Sequence, residues 1–227
     1  NTAVGRLSLG SNTTADNNTA VGYQALLANS TGTDNVAVGA YSLDANTTSS
    51  YHTAVGKSAL GSNTTGEYSV AVGRQALLSN TTGTRNVAIG NEALETNTTG
   101  NYNTATGYKA LETNNANNGT ALGYTALQDN TTGANNVGLG YRSLLNNTTA
   151  DQNTAVGADS MYTNTTGEYN VSIGYMTLYT NNASNNTAVG YQALLLNTTG
   201  ASNTAVGALA LDTLTTGSSN VAVGSEA

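Results

Sequence analysis

A glycine recurs every seventeen residues along this chain, and that period limits the possible folds more than any other feature. It falls at Gly5, Gly22, Gly39, Gly56, Gly73, Gly90, Gly107, Gly123, Gly140, Gly157, Gly174, Gly190, Gly207 and Gly224. The step is 17 except from Gly107 to Gly123 and from Gly174 to Gly190, where it is 16. Both short units lose one residue where "NTTG" gives way to "NNAN" or "NNAS". Variable turns joined to invariant segments are what a stack of coils requires. Helical-pair repeats need about 33 residues per unit, too many for this period. Asn, Thr, Val and Gly are also weak helix formers. Leucine-rich and calcium-binding nonapeptide patterns are absent. The expected fold is all-β: a parallel β-solenoid, or β-roll, of about fourteen 17-residue coils forming one repeat domain over residues 1–227. At a strand spacing of ~4.8 Å, thirteen steps make a rod of roughly 60 Å.

Rows of equivalent residues, named by their first copy, describe one coil. The Val4 row is aliphatic except for Thr106. The Leu9 row is Leu throughout except Met161, as far as Leu211. The Ala3 row is small, with Gly138 and Ser172 as its exceptions, and the Ser8 row is Ala or Ser except Thr177. In extended chain, Ala3 and Val4 face opposite ways, and so do Ser8 and Leu9. Both faces are then constrained, which points to burial on both faces. One face lines the coil interior and the other needs a second layer, so more than one chain is expected. The alternative is that small rows fill a narrow interior and bulky rows are covered elsewhere or partly exposed. Gly5 is expected at a corner between strands, by positive φ or close backbone approach. Gly32, Gly66, Gly83, Gly100, Gly133, Gly167, Gly200 and Gly217 are expected at a left-handed turn position. Asn rows beginning at Asn1 and Asn12 are expected to form amide ladders along the axis.

Composition narrows the function. The 227 residues carry net charge −7, only 8% charged residues and no Pro, Cys, Trp or Phe. Asn and Thr make up about a third of the chain. Its six basic residues are spread singly, so a nucleic-acid partner is not expected. Apolar runs are too short to span a membrane. No thiolate metal site or disulfide is possible without Cys, and no cofactor is expected. With no signal peptide and no initiator Met, the chain reads as an excerpt of a longer fibrous protein.

The segments "NVAVG" at 35–39 and "SVAVG" at 69–73, each followed by two variable residues and then a Ser or Ala, resemble the head repeat of YadA-like trimeric autotransporter adhesins. The longer form "NTAVGYQAL…NTTG" is similar to repeats of bacterial and phage-like tail-fibre-domain proteins. The resemblance spans all fourteen units. It implies a left-handed β-roll in which three chains associate as a homotrimer. The unit here is three residues longer than the adhesin repeat, and no neck, stalk, anchor or chaperone domain is recognisable.

Candidate chemistry is sparse. His52, the only histidine, stands in an Asn row and reads as a polar turn residue. Glu92, Glu95 and Glu112 read as solvated surface. Tyr108, Tyr124 and Tyr141 follow the repeated Gly in adjacent units and form one ladder, a candidate glycan contact. Asn12, Asn29, Asn46, Asn63, Asn80, Asn97, Asn130, Asn147, Asn164 and Asn197 head N-x-Ser/Thr sequons, candidate glycosylation sites. The first functional expectation is a non-enzymatic structural shaft or head of an extracellular fibre or adhesin, at a cell surface or on a virion. It would self-associate as a homotrimer or filament. The second is a glycan- or receptor-binding module using Tyr or Thr rows. The third is an ice-binding solenoid, weakened because neighbouring Thr in "NTT" point apart and Val replaces Thr six times in the Thr2 row.

Overall fold

The computed structural model describes residues 1–227 and shows a parallel β-solenoid without helix. It comprises two compact units, Asn1–Asn117 and Asn118–Ala227. The first holds β1 (Thr2–Val4), β2 (Thr19–Val21), β3 (Val36–Val38), β4 (Thr53–Val55), β5 (Val70–Val72), β6 (Val87–Ile89) and β7 (Thr104–Thr106). The second holds β8 (Thr120–Leu122), β9 (Val137–Leu139), β10 (Thr154–Val156), β11 (Val171–Ile173), β12 (Thr187–Val189), β13 (Thr204–Val206) and β14 (Val221–Val223). Within each unit every strand pairs in parallel with the next in sequence. Like stacks on like: Ala20 lies beside Ala37, and Val21 beside Val38.

Each coil has a single three-residue strand; the rest is turn. Gly5 therefore ends a strand rather than joining two. Its row has φ between 129° and 145°, and a Cβ there would land on the carbonyl of the next coil's glycine. The turns are bonded coil to coil like the strand. Thr19 N–H donates to Asn35 O at 2.8 Å in the ladder, and Leu26 N–H donates to Ser42 O at 3.0 Å beyond it. No backbone segment of the coil depends on its own loop alone.

The strand reads in and out as expansively as three residues allow. Ala3-row side chains point inward and are fully buried from Ala20 to Ala205, while the Thr2 and Val4 rows face out. After Gly5 the simple alternation fails. Residues of the Leu7 and Leu9 rows adopt left-handed φ, such as 57° at Gln24 and 51° at Leu26. This conformation costs a non-glycine residue roughly 1–2 kcal/mol. It turns both Ala25 and Leu26 inward, and both are fully buried. Burying the leucine contributes about 1.5–3 kcal/mol, which offsets the backbone cost. Ser8 and Leu9 rows thus share the interior instead of facing apart. Ser fits beside Ala in that row because Ser42 Oγ donates to Gly39 O at 2.9 Å.

A second correction concerns the "NTTG" turn. Its glycines are not left-handed; the left-handed slot is the Asn17 row, filled by Asp34, Tyr51, Tyr68 and Arg85 among others. What restricts the glycine slot is space, since a Cβ on Gly66 would meet the carbonyl oxygen of Gly83. Ala15 and Ala150 nevertheless occupy the same slot, both buried.

Candidate functional site

The outward strand face is the most regular surface of the chain. In each unit it carries a column of Val, Ile and Leu from the Val4 row beside a column of Thr and Val from the Thr2 row. The strands hold no charged residue. Ile89 is 42% exposed, Leu122 53% and Ile173 41%. The bulky row left unassigned by the sequence is therefore on the outside, exposed at these positions and half-buried between its neighbours in most other coils.

Tyrosines form short columns. Tyr124 and Tyr141 stack with centroids 5.5 Å apart and planes at 19°. Tyr108 lies in the first unit, 40% exposed, with Lys109 Nζ 5.7 Å from its ring centroid. Sequence reading overlooked a second column, in the Asn17 row. Tyr51 and Tyr68 stack at 4.9 Å and 3°, and the Arg85 guanidinium sits 5.2 Å from Tyr68 and 5.6 Å from Tyr102. Tyr162 with Tyr179 and Tyr175 with Tyr191 are further stacked pairs. Aligning all rows by slot would have found them. In a stacked column the rings cover one another's faces, so edges and hydroxyls meet solvent. A sugar needs a free ring face to stack on.

Both Asn rows are structural. In the Asn12 row, Asn46 Nδ2 donates to Asn29 Oδ1 at 2.9 Å, and Asn63 Nδ2 to Asn46 Oδ1 at 3.1 Å. The same amide donates to the carbonyl three residues on, as Asn80 does to Gly83 at 3.0 Å. In the Asn1 row, the amide oxygen accepts the next coil's backbone N–H, as Asn18 Oδ1 does from Asn35 at 3.0 Å. Of the ten sequon asparagines only Asn12 is partly exposed; Asn29, Asn46, Asn63, Asn80, Asn97, Asn130, Asn147, Asn164 and Asn197 are fully buried. A glycan on any of these nine would replace an interior amide.

His52 takes an Asn1-row place. Its Nδ1 accepts Ser69 N–H at 3.3 Å, and its Nε2 lies 2.7 Å from Gly66 O. The neutral ring protonated on Nε2 satisfies both contacts. Burial holds its pKa below the ordinary value.

Glu92, Glu95 and Glu112 are half-buried rather than freely solvated, with carboxylate oxygens within 4.8 Å of one another. Lys109 Nζ reaches Glu112 at 2.8 Å and Glu92 at 3.5 Å, and Arg74 also pairs with Glu92. Burial, then the charges of Glu92 and Glu112, raise the Glu95 carboxyl above its ordinary range. Lys109 and Arg74 already supply the positive charge that this cluster calls for. On the same flank a notch opens beside Asp44, whose carboxyl is also raised by burial.

Fold and surface together define a β-solenoid repeat protein whose regular features are ladders running from coil to coil. No protein-family model, curated protein or solved structure matches the chain.

Proposed function

We propose that this chain is a non-enzymatic structural segment of an extracellular fibre or adhesin shaft, built of left-handed coils and associating as a homotrimer through its outward strand faces. The observation that carries this reading is the uncharged Val4 column on the outer strand face, exposed at Ile89, Leu122, Ile173 and Val206 and half-buried in most other coils, beside the Thr2 column. Soluble monomers rarely expose extended apolar patches, and such patches mark association surfaces. The constraint on the Ala3 and Val4 rows has the same explanation: the Ala3 row packs within the coil, and the Val4 row packs on a second copy. The resemblance to adhesin and tail-fibre repeats supports three copies, the handedness and the extracellular setting. The only histidine is committed to a ladder, which supports a role without catalysis.

Sedimentation equilibrium of the full chain tests the proposal. A trimer is expected, reverting to monomer when Val55, Val72 and Ile89 are together replaced by Glu. A wild-type chain that stays monomeric at high micromolar concentration overturns it. The same face favours one second reading, ice binding, because the outward Thr and Val side chains repeat at strand spacing on one surface. Thermal hysteresis from a monomeric chain would establish that reading instead.

A further inference from the structure

Tyr51 and Tyr68 stand one period apart and occupy the same slot of successive coils. Their rings stack with centroids 4.9 Å apart and planes within 3°. That is closer and more nearly parallel than Tyr124 with Tyr141, Tyr162 with Tyr179 or Tyr175 with Tyr191. Parallel rings related by one coil step keep matching carbons at about the centroid distance. The Cε atoms beside the two hydroxyls are therefore separated by little more than van der Waals contact. The Arg85 guanidinium, one coil further on, lies 5.2 Å from the Tyr68 ring centroid and holds that ring from its other side. Both tyrosines are exposed, with edges and hydroxyls toward solvent. The chain has no Cys, so no disulfide can tie one coil to the next.

We propose that Tyr51 and Tyr68 are a site of oxidative modification: a one-electron phenol oxidant, here a haem peroxidase working with hydrogen peroxide, joins them as dityrosine and staples two successive coils. Each phenol gives up one electron and its hydroxyl proton, leaving two phenoxyl radicals. Hydrogen peroxide takes both electrons and both protons and leaves as two waters. The radicals join through a new Cε–Cε bond, and the hydrogen on each joined carbon moves to its phenol oxygen. The net change is the loss of two hydrogens. The rings must swing out of the stack to form the bond, and exposed side chains turn on a picosecond-to-nanosecond timescale. Neighbouring rings meet at a high effective concentration, so coupling within the chain outruns coupling between chains. Tyr169 is equally exposed, but Gln152 and Asn185 stand on either side of it in the row, so it has no ring to couple with. Tyr51 and Tyr68 lie outside the strands, so the modification is independent of self-association through the strand face.

The test mixes equal amounts of ¹⁴N- and ¹⁵N-labelled full chain, treats them with peroxidase and hydrogen peroxide, and maps tryptic peptides by mass spectrometry. Cleavage after Lys57 parts the two tyrosines, so coupling joins peptide 7–57 to peptide 58–74. The joined pair should appear two hydrogens light and carry one isotope throughout. Tyr51→Phe and Tyr68→Phe keep the stack but cannot form a phenoxyl radical, and each should abolish the joined pair. The coupled chain should melt about 5 °C or more above the untreated one, because a covalent loop of one period restricts the unfolded state. Absence of the joined pair overturns the proposal. So does a pair of mixed isotopes, a pair that survives in Tyr51→Phe, or a coupled chain that melts no higher.

Discussion

His52 shows how much one slot can demand. An asparagine in the Asn1 row accepts the next coil's backbone N–H through Oδ1 and donates through Nδ2 to the turn carbonyl, as Asn86 does to Asn103 N–H and Gly100 O. The imidazole reproduces both contacts, with Nδ1 as acceptor and Nε2–H as donor. It can do so only while neutral, since a proton on Nδ1 would face the Ser69 N–H. Because the folded-state pKa is depressed, the unfolded chain binds a proton more readily than the folded one. Stability is then complete above the ordinary histidine value of about 6.5 and falls as pH drops below it. His52→Asn should flatten that decline, measured as melting temperature against pH relative to wild type. Glycine slots make a second residue-scale contrast. Gly73→Ala meets both φ 138° and the Gly90 carbonyl, and should cost at least about 3 kcal/mol in denaturant unfolding. Gly66→Ala should cost less, about 1–2 kcal/mol, because its Cβ must displace the Gly83 carbonyl but needs no left-handed φ, and Ala15 and Ala150 show that the slot can open.

At the scale of the coil, the two shortened units explain how a residue can be dropped. In a full coil a backbone carbonyl accepts from the coil before it: Thr64 N and Oγ1 each donate to Thr81 O at 3.0 Å. In the short coil the Asn115 side chain does this work, its Oδ1 accepting from Thr98 N at 2.7 Å and Thr98 Oγ1 at 2.8 Å. Asn182 does the same for Thr165. A side-chain amide stands in for a deleted peptide, which is why both deletions carry Asn there. Asn115→Ala should destabilise the first unit by roughly 0.5–1.5 kcal/mol, since these bonds are exposed, seen by denaturant unfolding, with Asn115→Gln failing to rescue because its amide reaches too far. The Asn12 ladder has a different weakness. Asn12, Asn97, Asn164 and Asn197 each have an amide oxygen without a partner; Asn12 lies in the first coil, and the other three precede a short coil or Leu214. Leu214→Asn should complete the rung above Asn197 and stabilise the second unit by about 1 kcal/mol, measured by protection of the Asn197 region from hydrogen exchange.

For the whole chain, repetition makes stability a sum over neighbouring coils, because each coil is bonded only to the one before and the one after. Removing one full period should therefore be tolerated. Deleting residues 53–69 joins His52 to Val70 and keeps every row in register, so circular dichroism should retain its shape with a small loss of melting temperature. Deleting residues 53–61 places strand residues over turn residues and should unfold the first unit. The outer face bears on association at the same scale. A single solenoid is thin, its interior filled by Ala and Leu rows with Asn at the turns. Further apolar burial has to come from outside the coil stack, which is what the proposed self-association supplies.

The repeat was enough to establish the solenoid, the parallel register, the special status of the Gly5 row and the Asn ladders. Stacking identical units puts like beside like whatever each side chain's direction, so the period alone fixes everything that runs along the axis. Directions within a coil were another matter. Whether Val4 faced in or out, why Ala25 and Leu26 share the interior, and which turn slot is left-handed all depend on φ at the Leu7, Leu9 and Asn17 rows. Sequence alternation assumes extended backbone, and three left-handed residues per coil reset it.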